Sequence, residues 1–169
     1  MAARRVAVAV VGPADADEAL REIAYAAGKL LAQRGAVVMT GGLGGVMAAA
    51  SQGARESGGL VVGLLPTSDS ADANEFVDVV IPTGLGELRN GLLVRCADGV
   101  IAVGGSWGTL SEIALAMRTG TPVVCLRGWE ISDQAGARVN LVNATSAADA
   151  IDVLYRALPL AKDLPTLSS

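Results

Sequence analysis

A glutamate follows a run of glycines in the stretch GGSWGTLSE, residues 104–112. Thr109 and Glu112 form the pattern T-x-x-E, which is typical of a capping box that satisfies backbone N–H groups at the start of a helix. A carboxylate at the same place can also act on a ligand that the glycines hold. The spacing leaves both interpretations open, a structural cap and a reactive Glu112.

An arginine offers that carboxylate a partner. Arg89 precedes Leu92, Leu93 and Cys96 at helical spacing, so a guanidinium heads an apolar stripe. Because burial of an unpaired charge is costly, this side chain must either reach solvent or bind an anion. Two alternatives therefore stand side by side: an Arg89 that extends into solvent, and an Arg89/Glu112 pair that lines a pocket.

Two glycine clusters, at residues 41–45 and 104–108, each separate an apolar run from a helical pattern. Glycines in such turns allow close packing, but they also let backbone N–H groups converge on an anion at a helix N-terminus. Two clusters at corresponding strand ends favour a phosphate. The G-x-G-x-x-G fingerprint of nicotinamide enzymes is absent from the first turn, and no glycine run continues into the G-K-[ST] of a P-loop.

The composition excludes several classes of function. The chain of 169 residues has no histidine, which removes histidine-dependent triads and the common zinc sites. Its two cysteines, Cys96 and Cys125, lack metal-ligand spacing, so we expect reduced thiols and no metal site. The net charge of −4, without a run rich in Lys and Arg, argues against a nucleic-acid polymer as partner. No apolar run reaches the roughly 18 residues of a membrane span, and we expect a cytoplasmic protein with no membrane partner.

Short apolar runs alternate with helical patterns, which predicts a doubly wound α/β fold with a mostly parallel sheet of about seven strands and helices on both faces. The predicted strands are 6–11, 36–39, 60–65, 76–81, 99–103, 122–126 and 138–142. The first predicted helix ends near residue 34, and the other four span 46–56, 87–97, 109–118 and 147–158. We expect one domain, 1–158, with a frayed tail at 159–169. Ligands of such sheets bind beyond the carboxyl ends of the strands, where both glycine clusters fall.

Three stretches carry a family resemblance: TGGLGGVMAAASQGA, LRNGLLVRCADGVIAVGGSWGTLSEIALA and TGTPVVCL. Together they resemble the Rossmann-type nucleotide-binding superfamily that includes the Lonely Guy phosphoribohydrolases. The GTLSE version of the motif, with the Arg-Asn pair, is most similar to the molybdenum cofactor carrier-like branch. The resemblance covers residues 6–126 and implies a Rossmann-like fold.

The resemblance also implies roles for individual residues. Arg89 and Glu112 match the catalytic arginine and glutamate of the phosphoribohydrolases. Asn90 replaces the family lysine, Gly104 stands in place of a proline and Ser106 replaces a glycine, and these departures bear on the substrate. The ligand-binding residues implied in this way are Gly12, Gly41, Gly42, Gly44, Gly45, Asn90, Gly104, Gly105, Ser106, Gly108 and Thr109.

Three functions remain open at this stage. The first is a binding or carrier protein that holds a phosphate-bearing nucleotide or the molybdenum cofactor as its ligand and requires no other cofactor. The second is an enzyme that hydrolyses nucleoside 5′-monophosphates to free base and ribose 5-phosphate. The third is a nucleotide-sensing regulatory module. The resemblance further implies a homodimer or a higher homo-oligomer, and Trp107 has three possible roles: stacking on a base, lining an interface or packing over the loop.

Overall fold

Apolar runs rich in valine form a seven-stranded parallel sheet in the computed structural model, which describes residues 4–159. The strands are β1 (Ala7–Val11), β2 (Val37–Thr40), β3 (Leu60–Leu65), β4 (Val79–Pro82), β5 (Gly99–Val103), β6 (Val123–Leu126) and β7 (Val142–Asn143). The helices are α1 (Glu18–Gln33), α2 (Val46–Glu56), α3 (Arg89–Cys96), α4 (Trp107–Thr119) and α5 (Ala147–Ala157), with 3₁₀ turns at Ser70–Asp72 and Gly86–Leu88. The predicted tail lies outside the described residues apart from residue 159.

The strand order is β4-β3-β2-β1-β5-β6-β7. The chain therefore winds outward from β1 to β4 and then returns to place β5 on the other side of β1. The crevice where the winding direction reverses, between β1 and β5, is the usual ligand site of an open parallel sheet. The predicted fold class is confirmed.

Helices cover both faces of the sheet. On one face, Leu31 of α1 and Leu154 of α5 are fully buried in a cluster with Val10 of β1. On the other face, Leu93 of α3 and Ile113 of α4 pack with residues of β1 and β5. The strands are buried from both sides, which explains why they read as continuous apolar runs in the sequence.

Two strands are shorter than predicted because the residues expected to begin them form local turns. The strand predicted at 76–81 begins at Val79, since the side chain of Asn74 accepts a hydrogen bond from the backbone N–H of Phe76 and keeps that segment in a turn. The strand predicted at 138–142 is only Val142–Asn143. Arg138 instead pairs with Ser132 across a turn in which Asp133 accepts from the N–H of Ala137.

Candidate functional site

A cavity of about 560 Å³ opens beyond the carboxyl ends of β1 and β5, at the reversal of the sheet. Residues 12–15, which follow β1, line one part of it, and Met47 and Pro66 line another. The start of α3 and the 3₁₀ turn before it add Gly86, Glu87, Arg89 and Asn90, and the start of α4 adds Gly105, Ser106, Gly108, Thr109 and Glu112. Segments that are far apart in the sequence thus build one site.

Helix α4 begins earlier than the sequence predicts, and this changes the role of Glu112. Ser106 is the N-cap, and its hydroxyl accepts a hydrogen bond of 3.2 Å from the backbone N–H of Thr109. Of the two interpretations of Thr109 and Glu112, the capping box is excluded, because Ser106 already occupies the capping position. Glu112 lies in the second turn of the helix, where no free N–H group needs it, and its side chain borders the cavity.

Burial makes Glu112 an unusual acid. The residue is only 6 % exposed. Burial raises its pKa from 4.5 to about 7, and the positive charge of Arg89 partly offsets that rise. At neutral pH this carboxyl group is therefore poised between its charged and neutral forms.

Arg89 lies opposite Glu112 at the first residue of α3 and is 7 % exposed. Its Nη1 atom is 3.9 Å from Oε1 of Glu112, which is an ion pair without a close hydrogen bond. Burial lowers the pKa of Arg89, with Glu112 opposing, and the buried Nε atom has no hydrogen-bond partner among the described residues. A buried guanidinium with spare donors beside a cavity is equipped to bind an anion.

Asn90 connects the two helices that carry the pair. Its Nδ2 atom donates to the hydroxyl of Ser111 on α4 at 2.9 Å, and Ser111 donates to the carbonyl of Gly108. Asn90 also lines the cavity. The amide therefore fixes the spacing between α3 and α4 next to the ion pair.

The second glycine loop faces the cavity. Gly105, Ser106, Gly108 and Thr109 are lining residues, and Gly12 joins them from the end of β1. Gly104 is not among the lining residues: it has φ of 71°, and its N–H donates to the carbonyl of Leu126. Most of this loop thus lies where the sequence places the ligand.

The glycines of the first loop contact residues around the site but do not line the cavity. Gly41, Gly42, Gly44 and Gly45 do not line the cavity, and Met47 is the residue of this segment that does. Gly41 lies against the guanidinium of Arg89, and Gly42 packs on Leu65. Gly45 is the N-cap of α2 with φ of 59°, and its Cα faces the carbonyl groups of residues 13 and 14.

Several lining residues were missed by sequence reasoning. Asp15 and Glu87 add two carboxyl groups to the lining, and Met47 adds a thioether. The position of Asp15 just after β1 places it at the carboxyl edge of the sheet and could have identified it. Glu87 could have been found from its position two residues before Arg89. Nothing in the sequence marks Met47.

Trp107 projects from the first residue of α4 and is 79 % exposed. Its ring lies 5.5 Å from that of Trp129, at 36°. Trp129 in turn covers Gly105, at which an added Cβ would lie 2.8 Å from the indole Nε1. Of the roles considered, simple packing over the loop belongs to Trp129, and Trp107 forms an outer layer.

The sequence model of the SLOG cluster4 family matches residues 5–154. The chain belongs to the SLOG cluster4 family. The predicted relationship to the Rossmann-type superfamily is thereby confirmed, and the match includes every residue that lines the cavity.

Three known proteins are similar to this chain. An uncharacterised protein of Archaeoglobus fulgidus is 44 % identical over 120 residues, which cover 71 % of this chain and 79 % of that protein. The molybdenum cofactor binding protein of Rippkaea orientalis is 35 % identical, with a TM-score of 0.82 and coverage of 92 % of this chain and 98 % of that one. The molybdenum cofactor carrier protein of Chlamydomonas reinhardtii is 34 % identical, with a TM-score of 0.80 and coverage of 91 % and 98 %.

Within residues 4–159, none of the helices is both long enough and apolar enough to cross a membrane. In the same part of the chain, no group of three or more Cys, Asp or Glu side chains is placed to hold a metal ion. The described residues that line the cavity include Arg89, three carboxyl groups and the start of α4.

Proposed function

We propose that this protein binds the molybdenum cofactor, a phosphorylated pterin, in the cavity between β1 and β5 and carries it without consuming it. The observation that carries the proposal is the buried Arg89, whose Nε has no partner, beside the start of α4 in a cavity of about 560 Å³. Cavities of this size hold ligands of a few hundred daltons. The two similar solved proteins, named as binding and carrier proteins of this cofactor, support the choice of ligand.

The phosphate belongs at the end of the cavity that Arg89 and α4 form. The N–H groups at the start of α4 and the helix dipole attract an anion, and the guanidinium adds charge-assisted hydrogen bonds. Glu112 would repel a phosphate when ionised. Since its pKa is about 7, it can take up a proton at little cost as the anion binds.

The other carboxyl groups suit the pterin. Asp15 and Glu87 line the cavity, and carboxylates accept hydrogen bonds from N–H donors. A pterin ring presents an amino group and ring N–H groups of this kind. We assign the acidic part of the lining to the ring and the part around Arg89 to the phosphate, which separates like charges within the site.

The test is anaerobic equilibrium binding of purified molybdenum cofactor. We expect saturable binding to the wild-type protein, recovery of unchanged cofactor after release, and at least about tenfold weaker binding to Arg89→Ala, because a charge-assisted contact is lost. Failure of the wild-type protein to bind the cofactor would contradict the proposal. Consumption of the cofactor would contradict its carrier part.

The Arg89/Glu112 pair favours a second candidate, hydrolysis of a nucleoside 5′-monophosphate. A carboxyl group whose pKa is about 7 can act in proton transfer at neutral pH, and its carboxylate form can stabilise a sugar cation and orient water. The products would be a free base and ribose 5-phosphate. Arg89 would hold the substrate and orient Glu112.

Chromatography separates this candidate from the carrier. The protein is incubated with AMP, GMP, CMP, UMP and a prenylated AMP, with Glu112→Gln as the control. Base released by the wild-type protein but not by the variant would establish the hydrolase. Absence of base from every nucleotide, together with binding of the molybdenum cofactor, would leave the carrier as the function.

We also propose that the protein is a homo-oligomer. Three large apolar side chains near the cavity are exposed: Leu88 and Trp107 at 79 % each, and Leu92 on the turn after Leu88. Contact of such side chains with water is costly, and a subunit interface would bury them. Light scattering at micromolar concentration should give at least twice the monomer mass. A monomer mass over the whole range of concentrations would contradict this proposal and leave the cofactor proposal untouched.

A further inference from the structure

Gly41, at the end of β2, leaves a space that another residue fills. A Cβ atom added to Gly41 would lie 2.5 Å from Nη1 and 3.0 Å from Nη2 of Arg89, and 2.6 Å from Sδ of Met47. Such distances are far inside van der Waals contact. Gly41 is not among the glycines with positive φ, so its backbone conformation does not require glycine. Glycine is therefore needed at position 41 because it leaves space, and the guanidinium of Arg89 occupies that space.

Three hydrogen bonds hold the backbone that follows Gly41. The N–H of Gly42 donates to the buried hydroxyl of Thr40 at 3.1 Å. The carbonyl of Gly42 accepts from the N–H of Asn74 at 2.8 Å, and the amide of Asn74 donates to the carbonyl of Leu43 at 2.9 Å. Because the backbone is fixed, a side chain at position 41 would displace the ends of Arg89 and Met47 instead.

We propose that Gly41 is a positioning residue, whose missing side chain lets the Arg89 guanidinium lie beside Glu112 and present its free donors to an anionic group of the ligand. The position of Arg89 follows from packing, whereas its action on the ligand rests on the proposed function. The first glycine loop thus serves the site without touching the ligand. The first loop positions the guanidinium of Arg89, and the second loop supplies the backbone N–H groups that bind the anion.

The matched variants are Gly41→Ala and Gly44→Ala. Gly44 is in the same loop, is exposed and has no positive φ, and its added Cβ would find the carbonyl oxygen of Ala14 at 3.5 Å, which is ordinary contact. Both variants make the same chemical change. They differ in whether the new methyl group meets Arg89.

The first readout is the titration of Glu112 by carbon NMR, which needs no ligand. In the wild-type protein the Arg89 charge lowers the pKa of Glu112 against the effect of burial. We expect Gly41→Ala to raise that pKa further, by about one pH unit, because the guanidinium moves away. Gly44→Ala should leave it unchanged. An unchanged titration in folded Gly41→Ala would overturn the positioning role.

The second readout is affinity for purified molybdenum cofactor. We expect Gly41→Ala to weaken binding about tenfold, Gly44→Ala to change it less than twofold, and Gly41→Ala added to Arg89→Ala to cause no further loss, because the two changes remove one interaction. Wild-type affinity in Gly41→Ala would overturn the link to the ligand. Absence of binding by the wild-type protein would overturn the proposed function and this link, while the titration alone would still decide the positioning role.

A stability measurement covers the case in which Gly41→Ala does not fold. The double variant Gly41→Ala with Arg89→Ala removes one of the two side chains that the new methyl group meets and leaves Met47 in place. Rescue of folding by the second substitution would support the collision with Arg89. Equal failure of the single and double variants would overturn it, since the cause would then lie elsewhere.

Discussion

The two glycine loops occupy equivalent places after β2 and β5, yet they use glycine for different purposes. In residues 41–45 the glycines admit neighbours: the Arg89 guanidinium at Gly41, Leu65 at Gly42 and backbone carbonyls at Gly45. In residues 104–108, Gly104 and Gly105 also lie close to the side chains of Leu20 and Trp129, but Gly105 and Gly108 are exposed and border the cavity. A glycine-rich turn before a helix therefore indicates either close packing or an open backbone, and only the surroundings distinguish the two.

The largest expected effect compares Gly45→Ala with Gly108→Ala. Gly45 has φ of 59°, and its new methyl group would meet backbone carbonyls, so we expect the free energy of unfolding to fall by about 3 kcal/mol or more. At Gly108 the nearest atom to an added Cβ is 3.7 Å away, and the change should stay below about 1 kcal/mol. Urea unfolding measures both. Equal losses would show that the loops do not differ in the way described.

The next effect concerns pH and belongs to the helix after the second loop. Glu112 has a pKa of about 7 in the folded protein and 4.5 as its usual value, so the folded state binds more protons between these values. Its contribution to stability is present below pH 4.5 and is lost as the pH rises through 7, by about 3 kcal/mol.

Glu112→Gln removes this titration. Its free energy of unfolding should approach that of the wild-type protein below pH 4.5 and exceed it increasingly up to about pH 7, above which the difference should level off. Urea unfolding at several pH values is the measurement. If the free energies of unfolding of the two proteins differ by the same amount at every pH, the raised pKa of the buried Glu112 is contradicted.

A smaller effect compares two helix caps. Ser106 caps α4 and lines the cavity, whereas Ser146 caps α5 in the same way by accepting from the N–H of Asp149. Replacement of either serine by alanine should cost about 1 kcal/mol of stability. Only Ser106→Ala should also weaken binding of the molybdenum cofactor. Equal affinity in the two variants would argue against the start of α4 as the anion site.

The smallest effect is expected at Trp107. This side chain is 79 % exposed and contacts Trp129, so Trp107→Ala should lower the free energy of unfolding by only about 0.5 kcal/mol. Thermal unfolding at low protein concentration is the measurement. At a concentration at which the protein is monomeric, a loss above about 2 kcal/mol would contradict the exposed position of Trp107 in the single chain.

Patterns in the sequence predicted most of the fold, and they pointed to Arg89 and Glu112, whose side chains the structure places 3.9 Å apart. Strand and helix periodicity predicted the doubly wound sheet, and the apolar stripe below Arg89 together with the family motif pointed to Arg89 and Glu112. The sequence could not identify the cap of α4, because Ser106 and Thr109 both offer hydroxyl groups near the helix start. Only the folded geometry shows that Ser106 accepts from Thr109.

Contacts between distant segments were beyond reach of the sequence. The role of Gly41 depends on Arg89, which comes from a different strand-helix unit, and the role of Gly45 depends on residues 13 and 14. The lining by Asp15 and Met47 likewise arises from the way β1 and α2 meet. The sequence around such a glycine does not reveal its role, because the residue that it contacts belongs to a distant segment of the chain.

The most direct test of the account is a crystal structure of this protein with the molybdenum cofactor bound. We predict that the phosphate lies within hydrogen-bond distance of Arg89 and of N–H groups in residues 105–109, with the pterin toward Asp15 and Glu87. A phosphate bound instead by the N–H groups of residues 42–45 would contradict the division of roles between the two glycine loops.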